Sequence, residues 1–277
     1  LIAPLNYLLR IFKMFKKCIF FITTAIILSL ALVNCSKTEN TEPKRIAIIG
    51  AMDSEIANLK NMLEDVEEIK IAGITYYKGK LHGKDVVLLK SGVGKVNAAV
   101  ATTIAIERFN VEKIIFTGVA GSGNPNYNIA DIVISKNLIE HDFDTSDIDG
   151  DDITVLVEGY NNNYYPADEE LIQLAKTSAE KVITNSKVYV DTIATGDQFV
   201  GNNEKVKQIY NKFKAGAIEM EGASVAHAAL MYNIPFVVIR SLSDKADSDA
   251  EVDYPKFVIQ ASDNSAKIVA EMIDNMN

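Results

Sequence analysis

The segment Arg45-Ile46-Ala47-Ile48-Ile49-Gly50 restricts the fold more than any other in this 277-residue chain. It is an apolar run of strand length that closes on glycine, so both of its faces have to be covered, as in a sheet flanked by helices. The residues that follow read as a helix, with Asp53 suited to its N-cap and Ile56, Leu59 and Leu63 at helical spacing. The pattern recurs at Lys113–Thr117, which closes on Gly118-Val119-Ala120-Gly121, and at Pro235–Arg240, which closes on Ser241-Leu242-Ser243-Asp244. Further strands are expected at Ile69–Ala72, Thr75–Leu81, Asp85–Leu89, Asp131–Ile134, Val188–Ala194 and Gly216–Glu219, with turns at Gly73 and His82-Gly83. Helices are expected at Val96–Phe109, Ala223–Met231 and Phe257–Met276. The alternation predicts one α/β domain over residues 44–277, a three-layer α/β/α arrangement with a mixed, largely parallel sheet. No internal repeat or second composition zone appears, and Asp142–Asn163 reads as a loop.

Residues 1–35 read as an address. Met14-Phe15-Lys16-Lys17 precedes an apolar run from Ile19 to Val33, too short for the roughly 20 residues of a spanning helix. Residues 1–13 lie upstream of a plausible start at Met14. The ending Leu32-Val33-Asn34-Cys35 resembles a bacterial lipobox, which makes Cys35 the expected lipidation site, residues 36–43 a polar tether, and the domain a membrane-anchored protein outside the cytoplasm. The alternatives are an uncleaved anchor or a cytoplasmic protein.

Charge and composition remove other classes. The formal charge is −9, and residues 1–35 carry four cations and no acid, which leaves −13 on the remainder. Such a domain is a poor partner for nucleic acid. Three His and two Cys, scattered along the chain, give no zinc-ligand pattern.

In sheets of this kind ligands bind beyond the carboxyl ends of the strands. The segments found there are Gly50-Ala51-Met52-Asp53-Ser54-Glu55, Ser91-Gly92-Val93-Gly94-Lys95, Gly118–Gly121, Thr195-Gly196-Asp197-Gln198-Phe199, Glu219-Met220-Glu221 and Ser241–Asp244. Small residues, carboxylates and a few apolar groups suit a pocket for a neutral, partly apolar small molecule. Each segment alone has a plainer reading. Ser91–Lys95 lacks the first glycine of a phosphate loop and reads as a turn into a helix. Glu55 fits a helix dipole, and Asp244 fits an N-cap. Glu219 and Glu221 stand at strand spacing, which predicts that they point to opposite sides. His141 and His227 read as structural.

Taken together, and with His141-Asp142-Phe143-Asp144 and Arg240–Asp247, these blocks resemble the methylthioadenosine/S-adenosylhomocysteine nucleosidases, which have the purine nucleoside phosphorylase fold, over Lys44 to Met276. The resemblance implies hydrolysis of an adenosine N-glycosidic bond with no cofactor and no metal. It implies Asp244 as the proton donor to the purine, Glu55 as the base for water, and Glu221 as the clamp on the ribose hydroxyls, a division of carboxyl groups like that in glycoside hydrolysis. An Asp donor must be protonated when it acts, which a dry or carboxylate-rich setting favours. Phe199 and Val200 would hold adenine and Met220 the ribose. Met52, Val93 and Tyr254 would line the 5′ pocket, and Glu219, Ser243 and Arg240 complete the implied binding set. Tyr254 stands where Phe is common, which predicts a more polar 5′ pocket. A homodimer is also implied, with His141–Asp144 leading a segment into the neighbouring site.

Three readings compete with this one: a nucleoside phosphorylase, a futalosine-type nucleosidase, and a surface adhesin that kept the fold without the activity. A phosphorylase needs cations around phosphate, and neither the turn after Gly50 nor the approach to Gly118 supplies an Arg.

Overall fold

The computed structural model describes residues 12, 14, 16, 42–149, 157, 164–246 and 250–276. Leu1–Thr41 and Glu42–Asn277 form two separate compact units. In the first, the apolar run, Cys35 and the residues of the tether up to Thr41 lie outside the described residues. In the second, Glu42 already belongs to the fold, because its carboxylate takes the Arg45 guanidinium at 2.7 Å and its carbonyl oxygen accepts from Asn110.

The larger unit begins with β1 (Arg45–Gly50), α1 (Asp53–Met62), β2 (Glu64–Ile71), β3 (Ile74–Leu81), β4 (Lys84–Lys90), α2 (Lys95–Phe109) and β5 (Val111–Ser122). There follow β6 (Ile132–Glu140), a short α3 (Ser146–Asp149), β7 (Tyr165–Pro166), α4 (Glu169–Val182), β8 (Val188–Thr195) and α5 (Asn203–Phe213). The chain ends with β9 (Ala217–Glu219), α6 (Gly222–Met231), β10 (Phe236–Asp244) and α7 (Ala250–Asn275). Every residue of β1 and of β10 is buried, as the apolar runs Ile46–Ile49 and Phe236–Ile239 require of their cores.

The strands form one sheet in the order β10-β6-β8-β9-β5-β1-β4-β3-β2, and β10 also pairs with β5. That second pairing closes β5, β10, β6, β8 and β9 into a ring, with β1, β4, β3 and β2 as an open wing. The expectation of a largely parallel sheet is corrected. Among the described residues five pairings are parallel and five antiparallel. Two of the antiparallel pairings, β2–β3 and β3–β4, follow from short connections, since the hairpins at Gly73 and Gly83 cannot join parallel strands. One apolar cluster, including Ala98, Ala101, Phe116 and Val225, holds α2 and α6 against the sheet. A second, including Leu59, Ile172, Ile268 and Met272, holds α1, α4 and α7.

Several boundaries differ from the sequence reading for physical reasons. β5 and β10 continue beyond Thr117 and Arg240 because they pair in parallel as far as Asp244 against Gly121. The N-cap of α1 is Met52, not Asp53, whose carboxylate instead pairs with Lys90 at 2.8 Å on the surface. α7 starts at Ala250 and carries Pro255 in its second turn, so it begins before the residue at which proline would be expected to bar it. The sequence reading places no helix or strand at α3, β7, α4 or α5. Of the expected loop Asp142–Asn163, residues 150–156 and 158–163 lie outside the described residues.

Candidate active site

The carboxyl ends of β1, β4, β5, β8, β9 and β10 converge on one cavity of about 370 Å³. Eleven of the twelve residues implied as catalytic or binding line it. Met52 and Glu55 come from the entry to α1, and Val93 from the turn after β4. Phe199 and Val200 follow β8, and Glu219, Met220 and Glu221 span the join of β9 to α6. Ser243 and Asp244 end β10, and Tyr254 comes from α7.

The twelfth, Arg240, is a correction. It is fully buried and does not line the cavity, so it does not meet a ligand directly. Its guanidinium lies over the Phe116 ring, 4.2 Å from the centroid, and behind three carboxylates. It hydrogen-bonds Glu219 and stands 3.6 Å from Glu221 and 4.0 Å from Glu55. The cluster explains why so many acids can be packed together, since charges out of water persist only when paired or neutralised.

Glu219 and Glu221 do not point to opposite sides as strand alternation predicts. β9 stops at Glu219, and Glu221 has left the extended conformation at φ −138°, ψ −36°, so both carboxyls turn toward Arg240. Glu219 is a support. It accepts from the Glu221 and Gly222 main-chain N–H groups, from the Thr195 hydroxyl and from Arg240.

Glu55 is 2% exposed, and its two oxygens accept three main-chain N–H groups: Ala51 at 2.6 Å, Met52 at 2.9 Å and Val119 at 3.0 Å. Burial raises its pKa above the ordinary value, although Arg240 and the three amides pull the other way. A carboxylate with a raised pKa is a stronger proton acceptor than an ordinary one, which suits a base. Gly118 makes the arrangement possible, because a Cβ there would fall on Arg240 Nη1 and Glu55 Oε1.

Glu221 has its pKa raised to about 8, first by burial and then by the neighbouring Glu219. One of its oxygens accepts the Gly94 N–H at 2.9 Å. The next amide, Lys95 N–H, donates to Asp197 at 2.8 Å. The Ser91–Lys95 turn is thus a helix N-terminus whose amides hold two carboxylates of the protein itself, not a phosphate. Asp244, 2% exposed, accepts from the Ser243 hydroxyl at 2.9 Å and from the Ala246 N–H at 2.7 Å.

Apart from Gln198, the rest of the wall is largely apolar. Phe199 meets Tyr254 edge to face at 5.7 Å, and the Tyr254 hydroxyl donates to the Met52 sulfur at 3.2 Å. This puts one polar group at the apolar end of the cavity. Phe199 and Val93, 54% and 48% exposed, stand at its mouth. His141 packs beside Gly196 with neither ring nitrogen hydrogen-bonded, and burial lowers its pKa. His227 lies 3.3 Å from the Tyr165 hydroxyl.

The sheet carries a buried carboxylate cluster at its strand ends, and the sequence profile of the phosphorylase superfamily matches residues 45–274. The chain belongs to this superfamily and, within it, to the 5′-methylthioadenosine/S-adenosylhomocysteine nucleosidases. The nucleosidase of that name from Oceanobacillus iheyensis is 42% identical over 229 residues, covering 82% of this chain and 98% of its own length. The crystal structure of the Neisseria meningitidis nucleosidase in complex with methylthio-immucillin-A superposes with a TM-score of 0.79 at 36% identity, covering 84% of this chain and 100% of that one. The futalosine hydrolase of Helicobacter pylori superposes with a TM-score of 0.77 at 35% identity, covering 84% and 98%.

Proposed function

We propose that this chain hydrolyses the N-glycosidic bond of 5′-methylthioadenosine and S-adenosylhomocysteine, releasing adenine and the 5′-substituted ribose. The observation that carries the reading is one cavity in which Glu55, Glu221 and Asp244 stand in three different settings. As the C1′–N9 bond breaks, its electron pair passes to the purine and Asp244 gives a proton to N7. Water adds to C1′ and yields its proton to Glu55, so one proton leaves Asp244 and one arrives on Glu55. Glu221 takes the 2′- and 3′-hydroxyls. Positive charge on the ribose favours its ionised form, so the clamp tightens as the bond breaks, the condition for lowering a barrier.

Water is favoured over phosphate as the nucleophile by charge. Among the described residues no Lys, Arg or His lines the cavity, and Arg240 is already matched by Glu55, Glu219 and Glu221. A phosphate dianion would meet carboxylates with no cationic clamp. Incubating the purified chain with methylthioadenosine, S-adenosylhomocysteine and futalosine, with liquid-chromatographic detection of the base, tests the assignment. Adenine from the first two is expected. Turnover of futalosine alone would transfer the chain to the other hydrolase.

The site also favours a homodimer. α2 and α6 bound a groove of about 390 Å³ lined by Val96, Ala99, Thr103, Met231 and Tyr232. Val96 and Met231 are 73% and 66% exposed, and the surface continues through Val93 to the mouth of the cavity. A second copy there would close the mouth. Static light scattering should give twice the chain mass, and a fully active monomer would exclude the shared site. Export as a lipoprotein rests on Lys16, Lys17, the Ile19–Val33 run and Cys35. Labelled palmitate should enter the wild type and not Cys35→Ala, and a wild type in the soluble cytosolic fraction would end that proposal.

A further inference from the structure

Lys95 opens α2, directly after the turn that holds Glu221. Its main-chain N–H donates to Asp197 Oδ1 at 2.8 Å. The Asp197 N–H donates to Asp142 Oδ2 at 2.9 Å, and Asp142 Oδ1 takes the Lys95 ammonium at 2.7 Å. The three residues therefore close a ring of hydrogen bonds. The ammonium also reaches Glu140 Oε2 at 3.0 Å. None of these four residues lines the cavity, yet the ring ties together the turn after β4, the end of β6 and the turn after β8.

The neighbours of the ring are the site. Gly94, one residue before Lys95, holds Glu221, while Phe199 and Val200 follow Asp197 by two and three residues. Gly94 has φ +96°, and a Cβ on it would lie 3.0 Å from Asp197 Oδ1, so its backbone is shaped to the ring. Lys95, Glu140 and Asp142 have side chains only 20%, 12% and 17% exposed, and at such depth solvent does little to weaken the pairing. Burial on its own would raise the Asp142 pKa, but the Lys95 ammonium and the Asp197 amide hold it below the ordinary carboxylate value.

We propose that Lys95 is a positioning residue, which through the Lys95–Asp197–Asp142 ring sets the wall that receives adenine against the carboxylate that receives the ribose. The inference rests on the nucleosidase reading of the cavity. Without the ammonium, Asp142 loses its ion-pair partner and, among the described residues, Glu140 keeps only His227, 4.0 Å away. Asp142 then withdraws from the Asp197 amide, and the Phe199 segment and the Gly94 turn lose their common anchor. A misplacement of about 1 Å at reacting groups can cost about 100-fold in rate.

The test is Lys95→Met, with steady-state kinetics on methylthioadenosine and direct titration with adenine. The expected result is an adenine Kd weakened about tenfold, a raised KM, kcat lowered about tenfold, and recovery to within about threefold in Lys95→Arg. Asp197→Ala should give similar losses, and the double variant should be no worse than either single one by more than about threefold, because both open the same ring. A folded Lys95→Met with adenine Kd and kcat/KM within about threefold of the parent would overturn the proposal, as would losses that multiply in the double variant. If Lys95→Met does not fold, Asp142→Asn keeps an acceptor for the Asp197 N–H while weakening the ion pair, and an unchanged adenine Kd there overturns it equally. Failure of the nucleosidase reading looks different: the parent itself would release no adenine.

Discussion

Replacing Glu55 by Gln separates the base from its scaffold, and the hydrogen bonds around it set the expected size of the effect. Oε2 accepts the Ala51 and Met52 N–H groups, and Oε1 accepts that of Val119. A Gln amide has one acceptor oxygen, so it keeps the Ala51 and Met52 bonds and turns its NH₂ toward Val119. That leaves one buried N–H without an acceptor, at about 1–3 kcal/mol. Part of this is offset, because a buried carboxylate whose pKa is raised by burial is itself costly to ionise. The variant should therefore fold, with a stability loss no larger than about 3 kcal/mol. Its kcat should fall by at least about 100-fold, equivalent to about 2.7 kcal/mol of barrier, since the amide cannot take a proton from water. Adenine release followed by liquid chromatography, with a denaturant melt on the same preparation, measures both quantities. A folded Glu55→Gln within about threefold of wild-type kcat would remove Glu55 from the mechanism.

Asp244→Asn keeps the acceptor for the Ala246 amide but carries no transferable proton, and should lose about 10²–10⁴-fold in kcat, read by the same assay; near-parental turnover would exclude Asp244 as the acid. Glu221 has a folded-state pKa near 8 against an ordinary 4.5, so the native protein keeps a proton that the unfolded chain has lost. Its contribution to stability is complete below about pH 4.5 and disappears as pH rises through about 8. Denaturant melts at pH 5 and pH 8 should show this fall in the wild type and a smaller one in Glu221→Gln, and equal slopes would contradict the assignment. Gly118→Ala should abolish activity and lower Tm, because the added methyl collides with Arg240 and Glu55, and wild-type turnover would mean that the Glu55 pocket tolerates displacement.

Much of the site was legible because strand ends are marked by small residues. Gly50, Gly118–Gly121 and Ser241–Asp244 each close a buried apolar run, and Ala51 after the first, Val119–Gly121 in the second and Ser243 and Asp244 in the third line the cavity. Other elements were missed despite a local signal. α4 has Asp168 as N-cap, accepting from the Leu171 N–H, with Leu171, Ile172, Ala175 and Ala179 buried at helical spacing. α5 is capped in the same way by Asn202. The first half of β2, Glu64-Asp65-Val66-Glu67-Glu68, gives almost no strand signal because it is an exposed edge, paired to β3 and salted by Lys78 on Glu67 at 2.5 Å. The burial of Arg240 and the convergence of Glu219 with Glu221 depend on contacts between residues distant in sequence or on a break in the strand, which periodicity does not encode.

The central claim is that water, not phosphate, receives the ribosyl group of a 5′-thioadenosine in this cavity. Mass analysis of the sugar product after incubation of the purified chain with methylthioadenosine, with and without added phosphate, tests it most directly. The account predicts adenine and free 5-methylthioribose at the same rate in both buffers. A ribose 1-phosphate product that forms only with phosphate, or no adenine in either buffer, would contradict it.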